Sequence, residues 1–262
     1  SLNELQPQTG ITEHKHPHVP PAVFDNIRFA NYQANVMKIN FAVNKLPDFT
    51  CLPNKHTCEW DIESHTYLPG IQHRCSIFFE DKLEDIEHAY FNTLLKRPAT
   101  RPQITMHIPS ALDPSLVPLH PSAQVRLPPG HNLKKKYLNK ENDNDDDDND
   151  NNNNNYNALS SNVTAGHIVE LTVQHVPYEI HNQFGQWSDE KFKDNYVNHI
   201  LHIIEEYCPG FRESILHCDV LSPYDIEQTF GMHKGNIYHG QMIPQQLLTT
   251  RPAIGLSGHK TP

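Results

Sequence analysis

The stretch that decides the reading is Phe211 to Met242, FRESILHCDVLSPYDIEQTFGMHKGNIYHGQM. Leu216, Cys218 and Val220 alternate with other residues at the two-residue period of a half-buried strand. Ser222 then stands as an N-cap, with Pro223 at N1, Asp225 at N3 and Gly231 just past the end. These positions form a complete short-helix signature. The hydroxyl and carboxylate satisfy the first free N–H groups, and glycine takes the left-handed exit. A glycine-flanked turn follows, Gly235-Asn236-Ile237-Tyr238-His239-Gly240. Its glycines permit positive φ or close backbone approach, and Asn236, Tyr238 and His239 bring several hydrogen-bonding groups to one place. The turn reads either as structural or as site-lining. Arg251, just before Pro252, reads either as a partner for an anionic group or as one half of an ion pair.

Upstream of that stretch, Val169, Leu171 and Val173 alternate with Glu170, Thr172 and Gln174, which predicts a strand resuming near Gly166. Ser188 is placed to cap a helix running to Tyr207. Phe192, Tyr196, Ile200, Ile203, Ile204 and Tyr207 form its apolar stripe, and Pro209-Gly210 stops it. Nearer the start, Met37, Ile39, Phe41 and Val43 mark a strand within Ala34 to Val43, ended by Leu46-Pro47. Residues 48 to 76 read as a long loop. Asp81 to Lys96 reads as a helix with Leu83, Ile86, Tyr90, Phe91 and Leu94 on one face, and Gln103 to Ile108 as a short strand before a proline-rich loop reaching Pro129-Gly130. Strands and helices are interspersed without strict alternation and no internal repeat is visible. The predicted class is α+β, a mixed β-sheet with helices packed on it.

The 262 residues suffice for a substantial core. Hydrophobic residues make up 37% and mean hydropathy is -0.64, more polar than an average domain. Much of that polarity is local, since every residue from Asn142 to Asn155 is Asn or Asp. Lys134 to Asn157 reads as a disordered surface insertion, because packed carboxylates repel and Asn and Asp side chains compete with backbone hydrogen bonds. It lacks the glycine and the twelfth-position glutamate of an EF-hand calcium loop. The formal charge is -10, and no Lys/Arg cluster suggests a nucleic-acid partner. No stretch is apolar for long enough to span a membrane. The five cysteines, Cys51, Cys58, Cys75, Cys208 and Cys218, are odd in number and irregular in spacing, which favours reduced intracellular thiols over a disulfide framework. The Asn162-Val163-Thr164 sequon, with no signal peptide in view, reads as incidental.

The organisation predicted is an extended lead-in over 1–21, the first part of a domain over 22–133, the insertion over 134–157, the second part over 158–250, and a departing segment over 251–262. GxGxxG, P-loop, GxSxG and HExxH motifs are all missing, which leaves no self-contained nucleotide site and none of the common hydrolase signatures. Cys51, His56, Cys58, His73 and Cys75 include zinc-type ligands, but their spacing matches no common finger and the bland reading is structural. His14, His16 and His18 read as a solvated tail, and Cys208 and Cys218 as small hydrophobes.

Several segments in register resemble the phytoene-desaturase-like branch of the flavin amine oxidase superfamily. They are Lys38-Ile39-Asn40-Phe41-Ala42-Val43 with Leu46-Pro47, His73 to Ile77, Ile108 to Leu116, Pro128 to His131, Ile168 to Tyr178, and Tyr207 through Phe230-Gly231. The resemblance implies the substrate-side domain of an FAD-dependent amine-oxidase-like fold. It implies an enzyme that transfers a hydride from an apolar or amine small-molecule substrate to FAD, in the mitochondrial matrix. The flavin-binding segments of that family lie outside this chain, which begins at Ser1 and is read as an internal piece expected to bind FAD poorly or not at all alone. No catalytic residue or metal ligand carries over. Asn236, Tyr238, His239 and Arg251 are the candidates for lining the flavin-facing or substrate-facing side. The rival expectation is a non-catalytic binding or regulatory module that has lost flavin binding.

Overall fold

The computed structural model describes residues 30–33, 35–63, 65–116 and 166–250. The lead-in, the Asp/Asn-rich tract, the sequon, Pro128 to His131 and the segment containing Arg251 lie outside the described residues. Seven strands are described. They are β1 (Asn35–Val43), β2 (Trp60–Asp61), β3 (Thr66–Tyr67), β4 (Ile77–Phe78), β5 (Gln103–His107), β6 (His167–Val176) and β7 (Ile215–Leu221). The helices are α1 (Asn54–Thr57), α2 (Leu83–Leu94), α3 (Glu190–Tyr207), α4 (Phe211–Ser214) and α5 (Pro223–Phe230).

Five strands make one sheet in the order β4-β5-β6-β1-β7, while β2 and β3 form a small separate hairpin. The α+β class stands. The sheet, expected to be mixed, pairs antiparallel at every ladder. The reason is where β1 sits. Helix α3 returns the chain so that β6 and β7 run the same way, but β1 lies between them and opposes both. The parallel relation is present but split, so no parallel ladder forms.

Register assigns each side chain to a face. Met37, Ile39, Phe41 and Val43 of β1 share a face with Val169, Leu171 and Val173 of β6 and with Ile104 and Met106 of β5. All are essentially excluded from solvent. Helix α3 supplies the matching surface through Tyr196, Val197, Ile200, Leu201, Ile203 and Ile204. Phe211 closes one corner edge-to-face on Phe41, with centroids 5.6 Å apart. Trp187 closes another beside Tyr196 and Phe192 and donates its indole N–H to the Pro177 carbonyl at 2.7 Å. Cys208 is buried in this core and burial pushes its thiol up to about 12, in keeping with a packing role.

Local signals decide the helix ends. Ser222 and Asp225 form the expected capping box, with Asp225 N–H donating to Ser222 Oγ at 3.2 Å and Ser222 N–H donating to Asp225 Oδ2 at 2.9 Å. Gly231 caps the other end in the left-handed region at φ 67°. The cap of α3 is Asp189 instead of Ser188, its carboxylate accepting from Lys191 N–H at 2.9 Å. Residues 48 to 76, expected as loop, contain α1 and the β2–β3 hairpin. No helix among the described residues is long and apolar enough to cross a membrane.

Candidate functional site

The Gly235–Gly240 turn is built around Asn236. Its side chain is buried and nearly all its hydrogen-bonding capacity is used. Asn236 Oδ1 accepts from Tyr238 N–H and Gly240 N–H, each at 3.0 Å, and Nδ2 donates to Asn35 Oδ1 at 2.7 Å. The turn is thereby tied to the first residue of β1, about two hundred positions away in the chain. Gln241 and Gln246 extend the clamp. Gln241 N–H donates to the Asn31 carbonyl at 2.7 Å, and the Gln246 amide donates to the same carbonyl at 3.0 Å. Gly235, at φ 61°, rests directly on the start of α5, where a Cβ would lie 1.9 Å from the Pro223 carbonyl oxygen.

Of the residues singled out from the sequence, Asn236 therefore faces inward and holds the turn. Tyr238 and His239 are exposed on its outer side, His239 with a positive φ of 55°. Arg251 lies outside the described residues. Cys58 and His73 do approach each other, with Sγ 3.9 Å from Nδ1. His73 Nδ1 accepts from Gly70 N–H at 3.1 Å, which leaves Nε2 to donate to the Pro47 carbonyl at 2.8 Å. Burial lowers the His73 pKa, so the ring is neutral and structural. Cys51 and Cys75 are exposed elsewhere on the loop, and no three His, Cys, Asp or Glu side chains among the described residues converge as a metal would require.

A second constellation emerges only from strand register. The sheet face opposite the core carries polar side chains in rows. Thr105 of β5, Thr172 of β6 and Lys38 of β1 stand side by side; His107, Glu170, Asn40 and Asp219 form the next row. Lys38 Nζ donates to Glu170 Oε2 at 2.9 Å and to Thr172 Oγ1 at 3.3 Å. His107 Nε2 lies 2.8 Å from Ser76 Oγ. Three polar atoms on this face, Asn40 Oδ1, Gln103 Oε1 and Thr105 Oγ1, are buried with no hydrogen-bond partner. Buried oxygens without a protein donor are uncommon, and their grouping on one sheet face marks it as the polar face. The alternation that identified these strands already contained the signal in its polar half.

The described residues do not fit the pyrophosphate of FAD. Helix α3 begins under the Asp189 carboxylate and α5 under the Ser222–Asp225 capping box, which take up N–H groups an anion would use; α2 carries Glu84 and Asp85 in its first turn, and no glycine-rich turn opens any of the three. No step through a flavin is derived from these residues.

No family model matches the sequence. Several curated proteins do, among them two of one name. The chain is 30% identical over 261 residues to pyridine nucleotide-disulfide oxidoreductase domain-containing protein 2 of Rattus norvegicus, covering 99% of this chain and 34% of that protein. It is 30% identical over 265 residues to the Mus musculus protein of the same name, again covering 99% of this chain and 34% of that protein. The chain spans about a third of the length of the curated relatives it matches, and over that third it is similar from end to end to proteins named for an oxidoreductase domain.

Proposed function

We propose that this chain is the substrate-side part of a flavin-dependent oxidoreductase of the phytoene-dehydrogenase-like kind, acting on an apolar or amine small molecule. The observation that carries the reading is the end-to-end likeness to one third of proteins whose name describes an oxidoreductase domain. The polar sheet face is the location this reading favours. A sheet with one face sealed by α3 and the other presenting Lys38, Glu170 and Thr172 is suited to line a cavity whose remaining walls come from other parts of a longer polypeptide. FAD itself, in this proposal, is held by those other parts. Lys38 and Glu170, each about a third exposed, would orient a polar group of the substrate.

The test uses the full polypeptide that carries this sequence. Lys38→Met and Glu170→Gln should leave flavin content unchanged and slow substrate-dependent flavin reduction tenfold or more, since a hydrogen bond to a charged group is worth about 1.5 kcal/mol or more and about 1.4 kcal/mol is a factor of ten. Unchanged reduction rates in both variants would remove the polar sheet face from the proposal.

A further inference from the structure

A cleft of about 530 Å³ lies away from both constellations and shares no residue with either. One wall is α2 and its exit, the other the segment from Arg97 to Arg101 with Phe184. Its aromatic part consists of Phe91 and Phe184, which are 55% and 40% exposed. Both line one recess, so a body lying in it would cover apolar surface that the described residues leave open. Its charged part consists of Arg97 and Arg101, with His88 beside them and Asp85 as the one carboxylate on the wall. Arg97 is held in place by the neutral Asn92 side chain, which accepts from its Nε, and no carboxylate among the described residues pairs with it. Arg101 reaches Tyr207 Oη at 2.8 Å and makes only a long contact, 3.4 Å, to Glu206.

We propose that this cleft binds an anionic amphiphile, a small molecule with an apolar or aromatic body and one carboxylate head. The body lies between Phe91 and Phe184, and the carboxylate meets the Arg97 guanidinium, whose planar donors suit a carboxylate. A volume of this size falls within the range of small-molecule sites. Arg101 adds positive potential and needs no rearrangement, since its Tyr207 bond is compatible with a second acceptor. Asp85 disfavours a dianion, which is why a single negative charge is assigned. This site does not depend on the oxidoreductase reading.

Isothermal titration of the 262-residue chain with decanoate, decan-1-ol and acetate, each below its aggregation threshold, tests the assignment. Decanoate should bind at least tenfold more tightly than decan-1-ol, and acetate should show no saturable binding. Arg97→Gln should erase the tenfold preference for decanoate while leaving decan-1-ol unchanged, and Phe184→Ala should weaken both. A circular dichroism spectrum like that of the parent chain shows that each variant is folded, and both sites are surface positions where that is expected. Equal binding of decanoate and decan-1-ol, or an undiminished preference in Arg97→Gln, overturns the proposal. Preserved decanoate affinity in Phe184→Ala does the same.

Discussion

Two glycines four residues apart provide an internally controlled test of how the turn is anchored. Gly231 and Gly235 both lie in the left-handed region, at φ 67° and 61°. A Cβ on Gly231 would meet nothing within 4 Å. Gly231→Ala should therefore cost only the left-handed penalty of an L-residue, about 1 kcal/mol. A Cβ on Gly235 would stand 1.9 Å from the Pro223 carbonyl oxygen, 2.6 Å from its carbonyl carbon and 2.7 Å from its Cα. All three are backbone atoms, so no side-chain rotation relieves the overlap. Pro223 is the first residue of α5, and its displacement pulls on the Ser222–Asp225 capping box and on the Lys193 contacts to Asp225 at 3.1 Å. Adding the loss of a cap, about 1 kcal/mol, and the strain of moving packed backbone puts Gly235→Ala at roughly 3 kcal/mol or more. Urea denaturation of the two variants reads the difference as a shift in midpoint at constant m. Variants falling within about 0.5 kcal/mol of each other would refute the close approach of the turn to α5.

Further expectations follow from particular residues. Asn236→Ala should lose about 2–3 kcal/mol, because two turn N–H groups and the Asn35 side chain lose their partner. Asn236→Asp keeps the acceptor for both N–H groups and should lose less, a ranking that thermal melts can check. Lys193 is buried against Asp225 and Glu190, so Lys193→Ala should cost about 2 kcal/mol by removing the cation beside Asp225, whose bonds from Ser222 remain, measured by urea titration. Acid should destabilise the fold through His167, whose pKa burial and the nearby His73 hold down at about 4 against an ordinary 6.5. The unfolded chain binds that proton as pH falls through 6.5 and the folded chain does not until about 4. The stability is thus complete above 6.5 and is lost across that window, by at most about 3 kcal/mol. His73 shifts in the same direction. Urea midpoints at pH 7, 6 and 5 should fall, and His167→Gln should flatten the slope; an unaltered slope in that variant contradicts the assignment. Glu179, held at about 2 chiefly by hydrogen bonds from Lys234 and Lys96, acts only below this window.

What could be read from the sequence was what local chemistry decides. The Ser222-Pro223-Asp225-Gly231 pattern specified α5 to the residue, since caps depend on neighbours within one turn. The alternation in β1 and β6 identified the core face because the period of a strand survives any partner, whereas in β7 a register shift puts Ile215 instead of Leu216 into the core. Ser188 and Asp189 are both good caps, and the helix uses the second. Strand β4 escaped because Ile77–Phe78 is too short to show a period and is a strand only through pairing with Thr105 and Met106. The site was harder still. That Lys38 meets Glu170, or that Asn236 takes Asn35, depends on register between segments more than a hundred residues apart, which no local pattern carries. The polar half of each strand was in plain sight, but only pairing turns scattered Lys38, Asn40, Thr105 and Glu170 into one surface.

The central claim, that this sequence is the substrate-side part of a flavoprotein, is tested most directly by flavin absorbance near ~450 nm, measured on the full polypeptide carrying it and on the 262-residue chain alone. The account predicts stoichiometric flavin in the first and none in the second, because no pyrophosphate cradle opens α3 or α5. Folded full polypeptide that stays colourless with FAD supplied would contradict it and favour a binding module without redox chemistry. Stoichiometric flavin on the 262-residue chain would contradict the assignment of FAD to other parts.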